Sequence, residues 1–268
     1  MMGRVRVVRH GGLRRRAARR RVLWAGGEAL VTVGAVLLLL VVHQTWWTNR
    51  EARQGAGREV RALERAWDAS RGGAGRTAVP SAEPGPAAGA GAGAGAQESG
   101  RSQRSTGTAR RAPAPDRSPA YAVLSIPRLG LRVPVAEGVG RGGVLDKGYV
   151  GHYPGTQQPG RAGNFALAGH RNTHGEPFRY INRLVPRDVV RVETRDAVYT
   201  YAVDRTLPRT APRDGGVIRP VPRSVVRPGY GYDAPGSYLT LTTCTPEFSS
   251  KYRLVVWGKL VSTQPRPG

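Results

Sequence analysis

The chain is 268 residues long and carries a formal net charge of +24, with 42 basic residues, nearly all arginines, against 18 acidic ones. Its single cysteine, Cys244, excludes an internal disulfide and a cage of thiolates around zinc. The positive charge is dispersed, which favours an anionic surface such as a cell wall or a membrane, and we expect no nucleic-acid partner.

The first predicted element is a membrane span. An arginine-rich segment, residues 1–21, precedes an apolar segment, residues 22–42, which is long enough to cross a bilayer as a helix and contains one charged residue, Glu28. Arginines before the span and none within it predict a cytoplasmic N-terminus and an extracellular remainder. Residues 43–47 offer no small-residue cleavage site, so we interpret the span as an uncleaved signal-anchor and not as a cleaved signal peptide.

A polar segment without a core of its own follows the span. It begins with a short juxtamembrane helix that ends near Trp67. Residues 71–118 then contain Ala-Gly repeats and almost no large apolar side chains, so they bury too little surface to fold. The predicted parts are therefore a cytoplasmic tail (1–21), a transmembrane signal-anchor (22–42), an extracellular juxtamembrane segment with a disordered linker (43–118) and a catalytic domain (119–268).

The remaining segment is predicted to be mainly β. Short apolar stretches bounded by turn residues predict strands over residues 122–126, 131–135, 164–169, 189–193, 198–207, 238–243 and 253–260. One short helix is predicted over residues 177–184, where a proline occupies the first turn. Seven short strands indicate a closed or nearly closed β-barrel. Residues 210–237 are either a functional loop or a disordered surface excursion.

The lone cysteine is the candidate nucleophile. A cysteine nucleophile needs an ion-pair partner and a group that stabilises an oxyanion. His170, at a predicted strand end, is the best candidate for the first role, and Arg253, at the start of the strand after Cys244, for the second. His152, in a Gly/Pro-rich turn where exposure is expected, and His174, at the rim of the cleft, are rivals. Taken singly, a buried cysteine, a core histidine and a solvated arginine remain alternative interpretations.

Several segments together resemble the sortase family of cysteine transpeptidases. They occur in the family's order, at residues 164–171, 175–178, 239–246 and 249–256. The similarity covers about residues 121–261, which is the whole predicted folded domain. Residues 151–156 are similar to class E sortases, the housekeeping type of high-GC Gram-positive bacteria.

The resemblance implies an eight-stranded sortase barrel with short helices. Cys244, as a thiolate paired with protonated His170, would attack the Thr–Gly carbonyl of a C-terminal sorting signal of the Leu-Ala-X-Thr-Gly type. Arg253 would stabilise the carbonyl or its oxyanion, and a peptidoglycan-precursor amine would resolve the thioacyl enzyme, which attaches a surface protein to the wall. Tyr153 and Thr243 are the expected substrate-binding residues.

No cofactor is expected, and no metal, since the sequence has neither cysteine pairs nor an acidic cluster suited to calcium. A pilin-polymerising sortase would share the catalytic residues and stays an alternative. A non-catalytic wall-binding module, holding anionic polymer on its basic surface, is another. An L,D-transpeptidase also uses cysteine and histidine, but its Ser-x-Gly before the cysteine does not match Thr242 and Thr243.

Overall fold

One long helix begins the structure. The computed structural model describes residues 11–74 and 120–267, without the side chains of residues 11–23 and 72–74. Helix α1 (Gly11–Ala74) is continuous, and its part from Trp24 is long and apolar enough to cross a membrane. The large apolar side chains between Leu30 and Val42 are exposed, as a lipid-facing surface requires. The predicted linker after residue 74 lies outside the described residues.

Eight strands form a closed barrel after the helix. They are β1 (Ala120–Ile126), β2 (Leu131–Glu137), β3 (Val150–His152), β4 (Gly163–Ala168), β5 (Val189–Glu193), β6 (Ala197–Thr210), β7 (Ser237–Thr245) and β8 (Tyr252–Pro265). Around the barrel the order is β1-β2-β3-β4-β7-β8-β6-β5. The β2–β3 and β4–β7 pairs are parallel, and the other pairs are antiparallel. The predicted mainly-β, eight-stranded barrel is confirmed.

Strand β7 is buried on both faces, which explains its composition. Leu239 and Leu241 point into the main core of the barrel. Thr240 points to the other face, where its hydroxyl donates to the Asn164 side chain at 2.8 Å. That face lies under the segment between β6 and β7, whose Val217 packs in a second apolar cluster with Trp257. Threonines occupy this face because buried backbone and side-chain polar groups nearby need hydrogen-bonding partners.

One prediction about local structure is wrong, and one strand was not predicted. The predicted helix over residues 177–184 is a set of turns with a single 3-10 turn, Ile181–Arg183. Pro177 is buried, and Phe178, Ile181 and Leu184 are buried at every third position, which matches the 3-10 period and not the 3.6-residue period of an α-helix. Strand β3 was not predicted, because its three residues, which have glycines and prolines nearby, are too few to show an alternation of apolar and polar side chains.

The segment between β6 and β7 is an ordered cover and not a disordered excursion. It contains the 3-10 turn Gly215–Ile218, and Tyr232 stacks on Tyr238 of β7 with ring centroids 4.2 Å apart. Asp214 is buried and accepts hydrogen bonds from Thr210, Ser224 and the Val225 amide. One buried carboxylate therefore ties the beginning of this cover to its middle. The other two 3-10 turns are Pro127–Leu129 and Leu145–Lys147.

The second half of α1 packs against the barrel. Ala52, Ala56, Val60 and Trp67 form a buried stripe along one helix face. Ala56, Val60 and Trp67 pack in two small apolar clusters with residues of β1 and β2, among them Val123. The juxtamembrane helix expected to end near Trp67 is thus the outer half of a longer helix that is docked on the domain.

Candidate active site

The barrel register brings three predicted site residues together. Strands β4 and β7 run parallel with Ala168 opposite Thr242, so His170 and Cys244, each two positions further on, lie at the same level. On the other side of β7, Arg253 of β8 is paired directly with Cys244. Because neighbouring strands are about 4.8 Å apart, the histidine and the arginine flank the cysteine. Cys244 is a free, half-buried thiol.

His170 is held by a carboxylate that the sequence did not reveal. Its Nε2 lies 2.7 Å from Oδ1 of Asp146, on the turn Leu145–Lys147. Burial lowers the pKa of His170 below its usual value, and the Asp146 carboxylate acts in the opposite direction. The carboxylate therefore keeps more of the imidazole protonated than burial alone would allow.

His174 lies beside this pair. Its ring stacks on that of His170 with centroids 5.2 Å apart, and its Nδ1 lies 3.6 Å from Asp146 Oδ1. The three residues offer donor atoms within 4.8 Å of one another, a set that could hold a metal ion. However, two of these atoms are already hydrogen-bonded to each other, and the positive charge of Arg141 also acts on His170. We therefore interpret the cluster as a hydrogen-bonded and stacked network around His170.

Arg253 borders a small cavity, which lies on the face of β7 that carries Thr242 and Cys244. Its Nη1 donates to the carbonyls of Ser250, at 3.0 Å, and Tyr252, at 3.1 Å, which fixes one arm of the guanidinium. Arginine has further N–H donors in the same plane. The cavity has a volume of about 130 Å³, and Tyr153, Thr242 and Arg253 line it together with residues of the cover. A second cavity, of about 460 Å³, lies between α1 and the barrel, and Cys244 lines neither of the two cavities.

Of the two expected substrate-binding residues, Tyr153 lines this cavity and Thr243 does not. The Tyr153 hydroxyl lies 3.0 Å from Thr242 Oγ1. Thr243 is buried on the opposite face of β7, where its hydroxyl donates to the Gly169 carbonyl at 2.8 Å. Since side chains alternate along a strand, Thr242 and not Thr243 shares the face of Cys244. The period of two could have identified Thr242 from the sequence.

His152 is not exposed, which corrects the expectation for this rival base. It belongs to β3 and is only 1% exposed. Its Nδ1 lies 2.8 Å from Glu137 Oε2 and 2.9 Å from the Tyr121 hydroxyl, and its Nε2 lies 2.9 Å from Thr156 Oγ1. Both ring nitrogens are therefore engaged in holding the strand ends together.

Sequence reasoning also missed Arg171. This buried arginine follows His170 directly, and its Nη1 donates to the Cys244 carbonyl at 3.2 Å and to Thr245 Oγ1 at 2.8 Å. It thus connects the end of the strand that carries Cys244 to the segment that carries His170. Its place inside the histidine motif was the available signal, whereas Asp146, which is far from both motifs, gave none.

Comparison with known proteins identifies the family. The Sortase domain profile matches residues 124–261. This chain belongs to the sortase family. It is 53% identical over 151 residues to Sortase SrtE1 of Streptomyces coelicolor, an alignment that covers 54% of this chain and 42% of that protein. It is 37% identical over 133 residues to Sortase SrtE2 of the same organism, covering 47% and 49% of the two chains.

A solved structure supports the same assignment. The crystal structure of Sortase E1 from Streptomyces coelicolor, with a tripeptide in its active site, matches this sortase with a TM-score of 0.52 and 52% identity. The match covers 56% of this chain and 92% of that one. The resemblance to class E sortases is thereby confirmed, although the chain spans less than half the length of the two Streptomyces relatives aligned by sequence.

Proposed function

We propose that this sortase is a membrane-anchored cysteine transpeptidase. It cleaves a C-terminal sorting signal of the Leu-Ala-X-Thr-Gly type between Thr and Gly, and it joins the released carboxyl end to an amine of a peptidoglycan precursor. The observation that carries the proposal is the register that sets Cys244 between His170 and Arg253. Acyl transfer through a thioester needs three groups: a thiol, a guanidinium, and an imidazole that a carboxylate holds in place.

The residues divide the reaction between them as follows. The Cys244 thiolate attacks the carbonyl carbon of the signal's threonine, and the oxyanion that forms is stabilised by Arg253. Protonated His170 gives its proton to the departing glycine nitrogen as the peptide bond breaks, which leaves a thioester and a neutral imidazole. The incoming amine then attacks the thioester and loses its proton to His170. The thiolate leaves, and the ion pair is restored.

The small cavity supports the preference for alanine in the signal. A volume of about 130 Å³ is below the ~300 Å³ at which ligand pockets begin, so it accommodates one small side chain. Tyr153 and Thr242 form its wall, and they are the proposed substrate-binding residues here. The tripeptide held in the active site of the Streptomyces relative supports a peptide ligand in this region.

The apolar part of α1 supports a membrane anchor. We propose that residues 1–21 are cytoplasmic, that residues 22–42 span the bilayer and that the barrel, residues 119–268, lies outside the cell. The arginines before the span and the wall-directed chemistry support this orientation. The partners are then surface proteins that carry the signal and the peptidoglycan amine.

The test is a cleavage assay on the full chain in detergent micelles. Peptides containing Leu-Ala-Glu-Thr-Gly or Leu-Pro-Glu-Thr-Gly are mixed with an amine, and the products are followed by mass spectrometry. We expect cleavage between Thr and Gly, a thioacyl-enzyme mass and faster turnover of the alanine peptide. Cys244→Ser keeps the shape of the side chain and should lose turnover while keeping the wild-type thermal unfolding.

The opposite result is equally informative. A folded wild-type protein that cleaves neither peptide and forms no adduct would contradict the proposal. Binding to isolated wall polymer by wild type and Cys244→Ser alike would then favour the non-catalytic wall-binding module. Transfer to the side-chain amine of a pilin-like lysine in preference to a peptidoglycan amine would favour the pilin-polymerising alternative.

A further inference from the structure

The loop that carries the candidate base is in contact with the anchor helix. This histidine loop, residues 170–176, ends in three consecutive left-handed residues, His174 (φ 50°), Gly175 (φ 83°) and Glu176 (φ 54°). Left-handed backbone is unfavourable for residues with a Cβ, so contacts from outside the loop must hold it. The outer half of α1 supplies those contacts.

Four hydrogen bonds join α1 to the end of the histidine loop. The Asn49 side chain donates to Glu176 Oε1 at 3.0 Å and accepts from the Gly175 amide at 3.2 Å. Arg53 donates through Nη2 to Glu176 Oε2 at 2.7 Å and through Nε to the Gly175 carbonyl at 3.1 Å. Asn49 and Arg53 each make one hydrogen bond to the Gly175 backbone and one to the Glu176 side chain.

Glu176 depends on the helix for its charge balance. Its side chain is only 4% exposed, and its three side-chain donors are Asn49, Arg53 and Arg179. Two of the three come from α1. A buried carboxylate that loses such donors is strongly disfavoured, so without the helix the loop would have to rearrange to expose Glu176.

The helix also contacts the turn that holds Asp146. Gly148 ends that turn in a left-handed conformation (φ 80°), and a Cβ there would lie 3.0 Å from the Ala52 carbonyl oxygen and 3.1 Å from that of His174. The backbones of α1, of the Asp146 turn and of the histidine loop therefore meet at one point. Both partners of the candidate base, Asp146 and His174, are carried by segments that contact the helix.

Resting on the proposed function, we propose that Asn49 and Arg53 are positioning residues, and that the outer half of α1 holds His170 and Asp146 in their catalytic geometry. The anchor helix is then part of the working enzyme as well as a tether. Asn49 lies seven residues beyond the apolar segment 22–42, which is about 10 Å along a helix. Docking therefore also holds the histidine loop close to the membrane surface.

The decisive experiment compares full-length variants in detergent micelles. Arg53→Ala removes two of the four contacts, and Arg53→Lys keeps the charge. Arg58→Ala is the matched control, because Arg58 is an exposed arginine on the same helix half for which the described residues show no hydrogen bond or ion pair. Two measurements are made: hydrogen exchange of the amides of residues 171–176, and the pH profile of peptide cleavage.

We expect faster exchange of these amides in Arg53→Ala, about tenfold lower kcat with KM nearly unchanged, and an altered pH profile. Arg53→Lys should recover part of each effect, and Arg58→Ala should match wild type. The inference would be overturned if the exchange rates and kcat of Arg53→Ala equalled those of wild type. It would also be overturned if Arg58→Ala changed both quantities as much as Arg53→Ala does. Absence of turnover in wild type would instead refute the proposed function, and the exchange data would still decide whether the helix holds the loop.

Discussion

The candidate active site has two halves that are held in place by different means. Cys244 and Arg253 lie on adjacent strands, and the hydrogen-bonded ladder between β7 and β8 sets their relation. His170 and Asp146 lie outside the strands, and side-chain and backbone contacts, including those with α1, hold them. The strand half is fixed by the regular backbone, while the loop half depends on a few specific contacts.

The difference indicates which half of the site can change its geometry while the barrel stays folded. A ladder breaks only when the barrel unfolds, whereas a loop held by a few contacts opens locally at much lower cost. Changes in the strand half should therefore act on the chemistry alone. Changes in the loop half should alter protonation and geometry while the barrel stays folded.

The largest expected effect tests the strand half. Arg253→Lys keeps the positive charge but loses the planar fork of donors, so kcat/KM for peptide cleavage should fall about 100-fold or more. Arg191→Lys, the same substitution at an exposed position of β5, is the control and should match wild type. Steady-state kinetics on both variants decide the matter. A loss below about threefold in Arg253→Lys would mean that the fork does not stabilise the oxyanion.

The next largest effect is expected in the loop half. Asp146→Asn removes the carboxylate that raises the pKa of His170 against burial, so that pKa falls further. The active form pairs a thiolate with protonated His170, and its fraction falls about tenfold for each unit by which the pKa of His170 drops. We therefore expect lower kcat/KM near neutral pH and an acid limb of the pH profile displaced to lower pH.

The pH profile of kcat/KM, from about pH 5 to pH 9, provides the check. Asp196→Asn, at an exposed carboxylate paired with its neighbour Arg195, should leave the profile unchanged. An acid limb of Asp146→Asn that stays in place or moves to higher pH would contradict the assigned role of Asp146.

A smaller effect is expected at the cavity wall. Tyr153→Phe removes the hydroxyl that lies 3.0 Å from Thr242 and keeps the ring. We expect KM for the alanine peptide to rise by roughly fivefold, with kcat nearly unchanged, because one neutral hydrogen bond contributes about 1 kcal/mol. Tyr230→Phe, in the cover over β7, is the control. A change in kcat with constant KM would place Tyr153 in the chemistry instead of in substrate binding.

The smallest effect on activity is expected one residue from the nucleophile. Thr243→Val leaves the Gly169 carbonyl without its hydroxyl donor, which should cost about 1–3 kcal/mol of unfolding free energy. The corresponding fall in Tm is about 2–4 °C per kcal/mol, while kcat/KM below that temperature should change little. Thr263→Val, exposed on β8, is the control. A large loss of activity with an unchanged Tm would return Thr243 to the substrate site.

Most strands and the three candidate catalytic residues could be predicted, because both depend on patterns local in the chain. Alternating apolar residues identify β7, and the motif around it identifies Cys244 and Arg253. The histidine motif identifies His170 in the same way. Strand β3 escaped because its pairing with β2 and β4, and not its own three residues, makes it a strand. The helix expected over 177–184 failed because burial of Phe178 and Ile181 outweighed local propensity.

The sequence by itself determined the apolar segment, the barrel class and the candidate nucleophile, since each follows from composition, short-range periodicity or a local motif. Only the tertiary structure decided that Asp146 partners His170, that Thr242 and not Thr243 faces the cavity, and that α1 packs on the barrel through Arg53 and Glu176. These contacts join residues that are between 24 and 123 positions apart. No local pattern records such pairs, because they form only when barrel closure brings distant segments together.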